Sequence, residues 1–199
     1  MTASLTKQHI LDTALDLFSQ NGFEATSTGQ IADAVGIRKS SLYNHFESKQ
    51  HILVSLIESL SAEFEKHSVF SDYDERKMPL TVDGIADQVR RQLDFLLHDE
   101  HISKVRRLLT IEQYRIPQIS SMQTKRVYTD VLNYNTQLIK NLVENSVLKN
   151  GDIQIMAAQF SFPISAWISL CDREPEREGE AMELIERHIK QFFEIYKNN

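Results

Sequence analysis

One cysteine, four prolines and six glycines are all that 199 residues hold of the types that staple, kink or loosen a chain. The lone Cys171 excludes an intrachain disulfide and a thiolate zinc cluster, and it fits a reducing compartment. So little glycine and proline speaks against disorder, a collagen repeat and a turn-rich β fold. No uninterrupted apolar run approaches the roughly 18 residues needed to span a bilayer. The opening MTASLTKQHILDTALDLFSQ lacks the order of a signal peptide. A cytoplasmic protein without a membrane partner is expected. Also missing are a Gly-rich phosphate loop, a nucleophile elbow and an HExxH pair, so catalysis is not expected. His98-Asp99-Glu100-His101 is a conceivable metal group, but no second ligand cluster accompanies it. Neither a metal nor a cofactor is expected.

Positive charge is short as well. The chain carries 22 Lys and Arg against 28 Asp and Glu, for a net charge of −6. A nucleic-acid binder that works by bulk charge is therefore excluded, and any contact with DNA must come from local placement. Three of the four cations in the first fifty residues, Arg38, Lys39 and Lys49, lie in a twelve-residue stretch where Glu47 is the only acid.

What the chain does have is helical periodicity nearly everywhere. Residues 7–19 set Ile10, Leu11, Ala14, Leu15, Leu17 and Phe18 on one stripe, and Asn21-Gly22 ends that helix. Thr26 and Ser27 are candidate caps for a helix at 28–35, Gly36 breaks it, and a short helix follows at about 39–45. Ser48 can cap a fourth at 49–67, with Ile52, Leu56, Leu60 and Phe64 at four-residue spacing. Residues 68–79 read as a loop. Further helices are predicted at about 81–98, 101–115, 118–148, 152–172 and 177–197. The expectation is an all-α chain of about nine helices. A three-helix segment (1–48) would join a larger helical part (49–199) without a linker.

The segment from Thr28 to Phe46 reads as a helix-turn-helix. Two short helices crossing steeply need a small residue where they touch, and Ala32 suits that point. The tight turn between them favours positive φ, which Gly36 supplies. Ile31, Val35, Ile37, Leu42 and Phe46 can close a small core with the first helix. That leaves Arg38, Lys39, Ser40, Ser41, Tyr43, Asn44 and His45 outward, a set of donors and cations suited to base edges and phosphates.

The fuller string GFEATSTGQIADAVGIRKSSLYNHFESKQHIL closely resembles the N-terminal DNA-binding domain of TetR-family transcriptional regulators, from about residue 8 to residue 57. Its most specific pieces are Gly22-Phe23, Ala25-Thr26, Ile31-Ala32, Val35-Gly36-Ile37, Leu42-Tyr43, Phe46 and Ser48-Lys49. The resemblance implies a repressor that binds a palindromic operator as a homodimer and answers to a small-molecule effector. It implies phosphate contacts for Thr26, Ser27, Tyr43, His45 and Lys49, and places Lys39, Ser40, Ser41 and Asn44 at the major groove. Arg38 departs from the small capping residue common there, so it is expected to reach a guanine or a phosphate at the cost of a weaker cap.

One short helix reads few base pairs, so two copies roughly 34 Å apart are needed for affinity. The C-terminal helices offer a dimer face. Residues 152–171 carry two apolar stripes, one of Ile153, Met156, Phe160, Ile164, Trp167 and Cys171, the other of Ile155, Ala158, Phe162, Ala166 and Leu170. A helix apolar on two sides is buried on both. Phe160, Ile164, Trp167 and Ile168, with Ile185, Ile189, Phe192 and Phe193 of the last helix, are assigned to that interface. Phe95, His98, Gln113, Tyr114, Met122, Tyr128, Phe160 and Trp167 are candidate effector contacts, although each taken singly fits plain core better. A helical adaptor that binds only protein is the alternative to a DNA-binding regulator.

Overall fold

The computed structural model describes residues 3–67 and 78–198. It contains helices α1 (Ala3–Asn21), α2 (Thr28–Val35), α3 (Lys39–Tyr43), α4 (Lys49–His67), α5 (Val82–His98), α6 (Glu100–Glu112), α7 (Pro117–Gln123), α8 (Val131–Glu144), α9 (Ile153–Arg173) and α10 (Glu178–Tyr196). No strand is formed among the described residues, and Leu148 and Lys197 make one isolated bridge. The all-α expectation holds. Thr124–Asp130 is a π-helical segment between α7 and α8, entered and left with α-region dihedrals at Gln123 and Val131. The single long helix predicted at 118–148 is thus present as α7, the π segment and α8 in succession. The loop predicted at 68–79 lies mostly outside the described residues, as do the side chains of Leu60 and Phe64.

The helices pack as two units. The first joins the described residues up to His67 with Glu100–Ser120. Its core holds Ile10, Leu11, Ala14, Leu15 and Phe18 of α1, Ile31 and Ala32 of α2, Leu42 of α3, Phe46, and Ile52, Leu53 and Leu56 of α4. Val105, Leu108 and Leu109 of α6 are buried in the same unit. Lys104 of α6 reaches Asp16 of α1 at 2.7 Å. Val35 and Ile37, expected in the small core, are only half-buried.

The second unit joins residues 68–99 with 121–199. Its core is built from Ile85 and Leu93 of α5, Leu138, Ile139 and Leu142 of α8, Met156, Ala157 and Phe160 of α9, and Ile185, Ile189, Phe192 and Phe193 of α10. Ile164, Trp167 and Ile168 pack against it. Of the eight residues predicted for the dimer face, Phe160, Ile185, Ile189, Phe192 and Phe193 are buried in this core, and Ile164, Trp167 and Ile168 are half-buried. The other stripe of α9 is more open. Ile155 is 53% exposed, Ala166 is exposed, and Phe162 and Leu170 are half-buried. By length and composition α9 is apolar enough to cross a bilayer, with a mean hydropathy of 1.3. Its Met156, Ala157, Phe160 and Cys171 are buried.

Candidate nucleic-acid interface

α2 begins with a complete capping box. The Ser27 Oγ accepts from the Gln30 amide at 3.2 Å, and the Gln30 Oε1 accepts from the Ser27 amide at 2.7 Å. The Thr28 and Gly29 amides are left as first-turn donors at the positive end of the helix. α2 ends at Gly36 with φ 76°, its amide donating to Asp33 O while Ile37 N–H donates to Ala32 O at 3.0 Å. This is the left-handed stop that glycine permits without strain. Ala32 is buried at 1% exposure. The turn then delivers α3, whose one buried residue is Leu42.

Around that anchor the predicted reading set is outward. Arg38, Lys39, Ser40, Tyr43 and Asn44 are exposed, and Ser41 and His45 are half-buried. Arg38 occupies the N-cap of α3 and makes no side-chain cap bond, so its guanidinium is free of helix duty. The Tyr43 hydroxyl lies 3.3 Å from the Thr28 Oγ1, which ties the outer face of α3 to the start of α2. Ser27 is exposed beside them.

Two members of the predicted set are used differently. Thr26 is buried at 1% exposure, and its hydroxyl donates to Gly22 O at 2.9 Å and Leu17 O at 3.3 Å. Of the adjacent Thr26-Ser27 pair, only Ser27 is placed to meet a phosphate with its side chain. The Lys49 ammonium donates to Phe23 O at 2.7 Å and Glu24 O at 3.2 Å, and sits 4.3 Å from the centre of the Phe23 ring. Its charge serves the turn between α1 and α2, whose carbonyls would otherwise lack a donor.

Sequence reasoning missed one buried carboxyl group in this unit. Glu112, fully buried at the end of α6, accepts the Phe23 amide on Oε1 at 2.8 Å. The signal was available, because Glu112 follows Val105, Leu108 and Leu109 on the helix's buried stripe.

The candidate effector residues are divided between the two units. Gln113 and Tyr114 belong to the first unit, where the Gln113 amide donates to Thr110 O and Tyr114 is 91% exposed. The others belong to the second unit. Phe160 is core, edge-on to Phe192 at 5.1 Å, and Trp167 stands edge-on to His188 at 5.6 Å. Tyr128 of the π segment stacks on Phe162 at 5.5 Å. Phe95 and Met122 are half-buried.

His98 is a staple. Its Nδ1 lies 2.8 Å from Asp94 Oδ1 and its Nε2 3.0 Å from Glu178 Oε1, joining the end of α5 to the start of α10. The Asp94 carboxylate first, then Glu178, hold its pKa above the usual imidazole value. A raised folded-state pKa contributes stability that is fully present below the unfolded imidazole's pKa. That stability disappears as pH rises through the folded one. The chain should therefore melt slightly higher than a His98→Ala variant at pH 5.5, and at the same temperature as that variant at pH 9. The gain should shrink in high salt because the site is exposed. A pH-independent gap between the two melting curves would show that His98 stabilises by packing alone. Among the described residues, no group of three or more His, Cys, Asp or Glu is placed to hold a metal ion.

Comparison with known proteins agrees with this geometry. Residues 10–56 match the family described as bacterial regulatory proteins, tetR family. The chain is 46% identical over 56 residues to the HTH-type transcriptional regulator AcrR of Shigella flexneri, covering 28% of this chain and 26% of AcrR. It is 48% identical over 46 residues to IcaR, the negative transcriptional regulator of the biofilm operon icaADBC in Staphylococcus aureus, covering 23% of this chain and 25% of IcaR. The match thus spans about a quarter of those relatives. Across nearly the whole length the fold is similar to that of SmeT, the repressor of the Stenotrophomonas maltophilia multidrug efflux pump SmeDEF. The TM-score is 0.69 at 18% identity, over 97% of this chain and 91% of SmeT. SmeT is also known in complex with triclosan.

Proposed function

We propose that the chain, whose residues 10–56 match the bacterial regulatory proteins of the tetR family, is a DNA-binding transcriptional repressor that acts as a homodimer on a palindromic operator. The observation that carries this reading is the reading head itself. A capped α2, a left-handed Gly36 and a short α3 turn Arg38, Lys39, Ser40, Tyr43 and Asn44 outward around one buried leucine.

Roles divide by chemistry. Lys39 and Asn44, exposed at the two ends of α3, reach base edges with Ser40 and Ser41 between them. Arg38, Tyr43, His45, Ser27 and the first-turn amides of α2 take phosphates, which sets register without reading sequence. The outward α9 stripe of Ile155, Phe162, Ala166 and Leu170 pairs with its own copy, which brings a second α3 to the next turn of the duplex. The named relatives include a negative regulator and an efflux-pump repressor, which supports repression over activation. The SmeT–triclosan complex supports a small-molecule effector held by the second unit. A cytoplasmic location goes with this reading.

Selection of duplexes from a random library tests it. The wild-type chain should enrich a pseudo-palindrome with half-sites about one helical turn apart. Asn44→Ala should enrich a different base at one position in each half-site, with discrimination there falling by about 1–3 kcal/mol. Enrichment of no sequence at about 50 mM salt, where phosphate contacts are strongest, would leave the protein-only adaptor in its place.

A further inference from the structure

We propose that Glu112 is a positioning residue for DNA binding. From α6 its buried carboxylate holds the Phe23 amide and so sets the turn that delivers Ser27 and α2 to the phosphate backbone. The inference rests on the DNA-binding reading above and adds a residue outside the helix-turn-helix to it.

The geometry is a clamp on one residue of the turn. The Phe23 amide donates to Glu112 Oε1 at 2.8 Å, while the Phe23 carbonyl accepts from the Lys49 ammonium at 2.7 Å. Gly22 enters the turn with φ 82°, and a side chain begun there would meet Glu112 Oε1 at 3.4 Å. Thr26 closes the turn onto Gly22 O. The next residue, Ser27, is the cap of α2. Side chains from two helices, Glu112 of α6 and Lys49 of α4, together with Thr26 of the turn itself, therefore fix the residues that lead into the phosphate-facing helix end.

The cost of this arrangement argues that it has a use. Glu112 is fully buried, its Oε2 has no hydrogen-bond partner, and no cation among the described residues pairs with it. A buried carboxylate with half its acceptors unmet is expensive, and an apolar residue of the same size would pack there at lower cost. What only an acceptor supplies is the bond to Phe23 N–H. A position governed by stability alone would hold leucine or methionine, as Leu108 and Leu109 do one turn earlier.

The test compares Glu112→Met, which keeps the volume and removes the acceptor, with Glu112→Gln, which keeps an acceptor and removes the charge. Both are assayed as full chains on the duplex selected by the wild-type protein, well below their melting temperatures. Glu112→Met should bind about tenfold or more weakly, the loss expected for one hydrogen bond to a charged group, while Glu112→Gln stays within a few fold of wild type. A merely structural role would move the melting temperature and leave the affinity of the folded protein unchanged. Equal affinity of folded Glu112→Met and wild type therefore overturns the proposal. Hydrogen exchange at the Phe23 amide of the wild-type chain is a second arm that needs no variant. Strong protection that rises on DNA binding supports the clamp, and exchange at the rate of an open turn overturns it. Failure of the wild-type chain to select any duplex would instead bring down the DNA-binding reading, and this inference with it.

Discussion

Replacing Ala166 by Glu should make the chain monomeric at micromolar concentration. It should also lower affinity for a full operator by a factor on the order of 10³, the avidity that a second engaged head supplies. Ala166 is exposed in the single chain, so the substitution leaves the monomer's core untouched. The core side of α9 is already spent, with Met156, Ala157, Phe160 and Cys171 buried. On the other side, Ile155 and Ala166 are exposed and Phe162 and Leu170 half-buried, apolar surface that one chain leaves partly open. In a two-fold interface each such residue meets the same patch of its partner, so one substitution introduces two buried carboxylates at once. Sedimentation velocity reads the mass, and a gel shift on full-site and half-site duplexes reads the affinity. Half-site binding should persist unchanged. A dimer that survives this substitution with wild-type operator affinity would place the interface elsewhere.

Leu42→Ala should cost about 2–5 kcal/mol of stability in the first unit and remove measurable operator binding. Isolated helices shorter than about 12 residues are marginal in water, and α3 has five residues and no side-chain cap. Leu42, fully buried, is the one buried side chain of α3. A cavity there removes the packing that substitutes for intrinsic helix stability. Thermal unfolding followed by circular dichroism measures the stability loss. Asn44→Ala is the control, because Asn44 is exposed and its loss should leave the melting curve in place while altering base preference. A Leu42→Ala chain that keeps wild-type operator affinity would mean that α3 is held by something other than its buried leucine.

Much of the fold was legible because helix ends carry local chemistry. The predicted 28–35 helix has the observed bounds, since its start is a serine cap with glutamine three residues later and its end is a glycine in the left-handed region. The 49–67 helix was legible for the same reason, through Ser48, whose side chain accepts a first-turn amide. Less legible was which apolar stripe meets which neighbour. The two stripes of α9 are similar in length and composition, and periodicity says only that both avoid water. The choice between packing within the chain and packing against a second copy is made by α5, α8 and α10, which are distant in sequence.

The site followed the same division. The exposure of Arg38, Lys39, Ser40, Tyr43 and Asn44 follows from helix phase around Leu42, and that phase is local. The fates of Thr26 and Lys49 are not local. A threonine hydroxyl and a lysine ammonium near a turn can serve solvent, phosphate or the turn's own carbonyls, and the choice depends on which carbonyls come within reach. Glu112 is the extreme case, bonded to a residue 89 positions away. A single glutamate on an apolar stripe was the available sign, and it is easily taken for a solvated edge position.

Arg38 stands where serine or aspartate would be worth about 1 kcal/mol to the helix it precedes. The chain forgoes that increment and keeps a long cation there instead. Evolution towards a tougher protein and evolution towards a better reader therefore pull this one position in opposite directions. Thermostabilised descendants of the chain, if selected only for heat resistance, would be drawn to abandon Arg38 first and to lose grip on their operator as they did so.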